Sequence, residues 1–183
     1  MTFLVGQQGT GWTQLANLNQ QSGGNGSYLA AAYTATASGS ASNMYVACGS
    51  LVSAAYIKGA VYLGVGPGAT LVATTTSVAL VANTTLALPI TANIVSGQSY
   101  TLIVGSSIDN ATSGGYWNFI TNSAGPANNC NQLTGAHLFP SGYTSSAAST
   151  FPAADVTGNG KEYIVWLDGN TAAAAVLLGQ ACF

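Results

Sequence analysis

Charged residues are almost missing from this 183-residue chain. Only 3% of its residues are charged, compared with roughly 25% in an ordinary domain. Arginine is absent, so the basic residues are Lys58 and Lys161 alone, and the formal net charge is −2. Such a chain has no basic patch with which to neutralise phosphates, the main source of nucleic-acid affinity. We therefore predict that it binds neither DNA nor RNA.

Long hydrophobic runs are missing as well. The segment 66–105 contains no charge, but Thr and Asn interrupt it every few residues, and Pro67 and Pro89 would break a helix. A membrane-spanning helix needs about 20 consecutive apolar residues. The start, MTFLVGQQGTGW, has neither a basic stretch nor a long apolar run, unlike a signal peptide. We predict no membrane insertion and no Sec signal.

Hydrophobic residues nevertheless make up 48% of the chain. Disordered chains combine low hydrophobicity with high net charge, so this composition indicates a folded protein with a neutral surface of Ser, Thr, Asn, Gln and Gly. The length suits one sizeable core. We predict an N-terminal arm and loop over residues 1–27, followed by a single β-sandwich domain over residues 28–183.

Short runs rich in Val, Ile, Thr, Tyr and Leu, each ending in Gly, Asn, Pro or Ser, predict strands. Asn159-Gly160 and Asp168-Gly169 are typical hairpin turns, and the last run could instead form a short helix. The fold class predicted is all-β, an antiparallel two-sheet sandwich that is jelly-roll-like or immunoglobulin-like. The predicted strands are 28–36, 43–51, 55–65, 70–75, 84–91, 99–106, 116–121, 162–168 and 172–179.

Four stretches together resemble a known family: YLAAAYTATASGSASNMYVAC, YIKGAVYLGVGPGATLVATT, TLALPITANIVSGQSYTLIVG and YIVWLDG. They are similar to the jelly-roll domains of bacteriophage virion proteins and of bacterial surface or carbohydrate-binding modules. The resemblance covers residues 28–168 and implies a fold far more than a ligand. Secreted members usually carry a signal peptide and often calcium-binding acids. Since this chain shows no signal-peptide pattern and has few acids, the resemblance implies the phage group.

Residues suited to catalysis are scarce. The chain has one histidine, His137, and four acids, and Asp155 and Asp168 could meet at the ends of a predicted hairpin. Aspartate is a common turn residue, which is the simpler reading of both. The segment 155–162, DVTGNGKE, could be a calcium loop, but it fits a turn equally well. We predict no enzyme activity, no cofactor and no metal.

Aromatic residues are the better candidates for a binding site, because neutral glycans stack on flat rings surrounded by amides and hydroxyls. The candidates are Tyr116, Trp117 and Asn118, together with Tyr143 and Phe151 in the following loops. The alternative is that these rings fill the core or a subunit contact, where large aromatic residues also dominate.

Three cysteines, Cys48, Cys130 and Cys182, leave one thiol over if two of them pair. Synthesis in a reducing cytosol favours free thiols, but a released particle meets oxidising surroundings. We expect at least one linked pair in the mature particle, involving Cys130. Cys48 and Cys182 could each reach another subunit.

These observations predict a non-enzymatic structural protein of a bacteriophage particle, such as a capsid decoration, head-fibre or tail-fibre component. We expect a homo-oligomer, a trimer, with one or both ends (residues 1–12 and 172–183) packed against neighbouring copies or other phage structural proteins. Its location would be the virion, assembled in the host cytoplasm. The alternatives are a glycan-binding module that recognises a host surface, and a monomer whose Ser/Thr/Asn surface is hydrophilic enough by itself.

Overall fold

The computed structural model describes most of the chain's strands and several of the loops between them. Among the residues it describes there is no helix. None of them therefore belongs to a helix long and apolar enough to cross a membrane. The described residues are 2–7, 13–14, 18–19, 27–51, 56–107, 116–122, 131–134, 146–153 and 162–171.

Strands account for most of the described residues, which confirms the all-β prediction. The bounds are β1 (Thr2–Gln7), β2 (Thr13–Gln14), β3 (Leu18–Asn19), β4 (Ser27–Thr34), β5 (Gly39–Leu51), β6 (Tyr56–Leu63), β7 (Thr70–Thr74), β8 (Val78–Ala79), β9 (Thr85–Ile94), β10 (Ser99–Ser107), β11 (Tyr116–Asn122), β12 (Asn131–Thr134), β13 (Glu162–Tyr163) and β14 (Val165–Thr171). The segment 172–179, predicted as a strand or short helix, lies outside the described residues.

The strands form two antiparallel sheets that pack against each other as a sandwich. In the larger sheet, β5 lies between β14 and β9, and β1 pairs with β14. The strand β11 pairs with the end of β5, and β2, β3 and β13 each pair with β11. In the smaller sheet the order is β12-β4-β10-β6-β7, and β8 also pairs with β6. The chain passes between the sheets repeatedly, so both are assembled from strands distant in sequence.

The main core lies between the two sheets, and strict alternation along β9 shows how it is built. Leu86, Leu88 and Ile90 are buried, while the residues between them are exposed. Successive side chains of a strand point to opposite faces, so one face of β9 packs inward. Full burial of each such side chain stabilises the fold by about 1.5–3 kcal/mol. In the smaller sheet, a Cβ added at Gly59 would lie 2.8 Å from Met44 Sδ of the larger sheet, so the glycine at this position allows the two sheets to approach closely.

The predicted N-terminal arm over residues 1–27 is wrong for residues 2–7. These residues form β1, which pairs antiparallel with β14 at the edge of the larger sheet. Leu4 and Val5 are both fully buried, because the strand register shifts between Phe3 and Val5. The Leu4 carbonyl also accepts a hydrogen bond from the Thr36 amide. This part of the N-terminus therefore packs against its own chain.

The predicted turn at Asp168-Gly169 is also wrong. Both residues lie inside β14, and a register shift against β5 falls between them. A Cβ at Gly169 would collide with the Ser40 carbonyl oxygen. Glycine serves here to let two backbones approach at a bulge. The other predicted turn, Asn159-Gly160, lies outside the described residues.

Candidate functional site

The outer face of the smaller sheet is covered by the chain's own segment 146–153, which we call the cover segment. It runs beside the edge strand β7: the Leu71 amide donates to the Ser149 carbonyl, and the Phe151 amide donates to the Ala69 carbonyl. The Thr74 hydroxyl accepts from the Ala147 amide at 2.9 Å. These bonds use backbone groups that an open sheet edge would expose to another chain.

Phe151 anchors the cover segment to the sheet. Its side chain is only 2% exposed and meets the Tyr62 ring edge-to-face, with ring centroids 5.2 Å apart. The Tyr62 hydroxyl donates to the Ala148 carbonyl at 2.8 Å. Burial raises the pKa of the Tyr62 hydroxyl. The Phe151 and Tyr62 rings belong to a buried cluster whose other members are small or apolar side chains, including Ala30, Ala60, Ala69 and Ile103.

Lys58 lies on the same strand face as Ala60 and Tyr62 and is only 4% exposed. Its burial lowers the pKa of the ammonium group, because a low-polarity environment disfavours the charged form. One of the chain's two basic side chains is thus removed from the surface. The other, Lys161, lies outside the described residues.

The outer face of the larger sheet is open along β9, where every second residue is exposed. We call this surface, from β9 across β5 and β14, the open face. Within the described part of the chain, β9 pairs in the sheet with β5 alone. The exposed residues along β9 are Thr85, Ala87, Pro89, Thr91 and Asn93.

Two stacked aromatic rings lie in the middle of the open face. Tyr45 and Trp166 are register partners on β5 and β14, and their rings are 5.1 Å apart with an interplanar angle of 14°. Both side chains are half-buried, as is Phe3 on the neighbouring strand β1. Offset-stacked aromatic pairs stabilise by about 0.5–1.5 kcal/mol beyond their burial. The pair forms an aromatic patch on this face.

Beside these rings, two buried polar atoms have no hydrogen-bond partner within the described part of the chain. They are Trp166 Nε1, which can donate, and Asp168 Oδ1, which can accept. A buried polar group left without a partner costs about 1–3 kcal/mol. Native proteins pair nearly all such groups, so these two atoms are exceptions among the residues that the structure describes.

The predicted glycan platform is brought together only in part. Tyr116, Trp117 and Asn118 lie consecutively on β11, where Trp117 pairs with Leu51, and the structure describes these three by their backbone alone. Tyr143 lies outside the described residues. Phe151 was wrongly included, because its buried ring is part of the cover segment's contact with the sheet.

Sequence reasoning missed the Tyr45–Trp166 pair. The available signal was alternation: Tyr45 lies between buried Met44 and Val46, so its ring must point to the outer face. Trp166 lies likewise between buried Val165 and Leu167. The contact itself depends on the register of two strands far apart in sequence, which composition does not reveal.

Cys48 is a free thiol, only 1% exposed, in the core between the sheets. Burial raises the pKa of this thiol to about 12. Since the thiolate is the reactive form, such a group is a poor partner for disulfide exchange. The expectation that Cys48 reaches another subunit is therefore wrong for this fold. Cys130 and Cys182 lie outside the described residues, and their pairing stays a prediction.

Of the titratable residues weighed for chemistry, the structure describes only Glu162 and Asp168. Asp168 lies in β14, whereas Asp155, His137 and nearly all of the candidate calcium loop 155–162 lie outside the described residues. In the part of the chain that the structure describes, no group of three or more His, Cys, Asp or Glu residues is placed to hold a metal ion.

Comparison with known proteins found no match: no protein-family model, no curated protein and no solved structure is similar to this chain. The class that can be stated is the one that the fold defines, an antiparallel two-sheet β-sandwich.

Proposed function

We propose that this chain is a non-enzymatic structural protein of a bacteriophage particle that works by homo-oligomeric assembly. The observation that carries the proposal is a surface with almost no charge. The chain has two lysines and four acids, and Lys58 is buried, while apolar side chains such as Val65 and Tyr56 are 67% and 55% exposed. Copies of such a protein repel one another little, which suits a permanent assembly better than a free monomer.

The strand order supports the same proposal. Each sheet combines strands from the first and last thirds of the described chain, since β1 pairs with β14 and β4 pairs with β12. We propose that this connectivity is that of a jelly roll, the fold implied by the resemblance to virion domains. The protein would act as a capsid decoration, head-fibre or tail-fibre component, as a trimer bound to other phage structural proteins.

Light scattering of the purified protein after size exclusion tests the assembly proposal. We expect a mass of three copies at micromolar concentration, with no monomer peak after tenfold dilution. Electron microscopy of particles that contain the protein should show density for it on their surface. A stable monomer at tens of micromolar would contradict the proposal, because an uncharged surface would then be tolerated without partners.

Recognition of a host-surface glycan is the second candidate function, and the half-buried Tyr45–Trp166 pair beside Asp168 favours it. Sugars stack on such rings and exchange hydrogen bonds with the hydroxyl and amide groups around them. A glycan array probed with the labelled protein tests this function. Binding to a defined glycan would support it, and no binding to any glycan would remove it.

A further inference from the structure

We draw no further inference here: the strongest candidate, the surface patch of exposed aliphatic side chains Leu63, Val65 and Val95 at the end of β6 and in the turns that follow β6 and β9, is an apolar surface, and nothing in the structure shows what covers it.

Discussion

The outer faces of the two sheets differ in what covers them, although the same neutral composition supplies both. The smaller sheet has a cover from its own chain, with Phe151 buried against Tyr62 and the edge of β7 hydrogen-bonded. The larger sheet presents an exposed β9 and a half-buried ring pair with two unpaired polar atoms beside it. The cover segment lies over the first face, whereas the residues along β9 have no such cover within the described part of the chain.

This difference shows where the missing charges matter. A β-sandwich in water usually surrounds its apolar outer residues with charged side chains. Here the described chain offers Lys58, Glu162 and Asp168 alone, and Lys58 is buried. Apolar outer residues are therefore surrounded by neutral side chains or, like Phe151 and Tyr62, buried within the chain itself.

Removal of the anchor of the cover segment should produce the largest effect. Phe151→Ala should lower the free energy of unfolding by about 3–5 kcal/mol, because a buried ring is lost and a cavity is left above Tyr62. Urea denaturation measures this loss. Phe151→Leu, which retains most of the apolar volume, should cost clearly less. An unchanged midpoint for Phe151→Ala would show that the cover segment does not contribute to stability.

Alkaline pH should weaken the core that both faces share. Burial raises the pKa of the Cys48 thiol from its ordinary value of 9.0 to about 12, so between these values the unfolded chain has lost this proton while the folded chain keeps it. The free energy of unfolding should therefore fall with rising pH by about 1.4 kcal/mol per unit above pH 9, and this contribution should be constant below it.

Cys48→Ala isolates that contribution. Lys58 and Tyr62 titrate alike in both proteins, so the difference in slope between the wild-type protein and the variant belongs to the thiol. Denaturation midpoints at pH 8, 9, 10 and 11 measure it. Parallel pH curves for the two proteins would contradict the burial of Cys48.

A pair of conservative substitutions compares the two faces directly and has the smallest expected effect. Tyr62→Phe removes a hydroxyl that donates to the Ala148 carbonyl, and it should cost about 0.5–1.5 kcal/mol. Trp166→Phe removes a donor that has no partner among the described residues, so no hydrogen bond to them is lost. We expect its cost in a dilute, dissociated sample to be the smaller of the two by chemical denaturation. Equal costs would mean that the Trp166 N–H is already paired within one copy.

The sequence supported prediction of the strands wherever alternation was strong. The predicted strands 84–91 and 99–106 correspond to β9 and β10, because Leu86, Leu88 and Ile90, or Leu102 and Val104, recur at every second position. β1 was missed because its core residues, Leu4 and Val5, are adjacent and break the alternation at a bulge. Short strands such as β8 and β12 carry too few residues to show a period.

The candidate surfaces were harder to predict. Phe151 is buried because the cover segment pairs with β7, about eighty residues earlier in the chain. Tyr45 and Trp166 meet because β14 lies beside β5 in one register. Both contacts result from long-range pairing, which alternation along a single strand does not reveal. Asp168-Gly169 was mistaken for a turn because a bulge and a turn favour the same residues.

The most direct test of the difference between the two faces is the accessibility of a thiol placed on each. The alkylation rates of Ala87→Cys, at an exposed position on β9, and of Ala147→Cys, at a buried position in the cover segment, should be measured by peptide mass spectrometry at nanomolar protein. We predict that Ala87→Cys reacts quickly and that Ala147→Cys reacts slowly. Equal reactivity of the two thiols would contradict the difference between the faces.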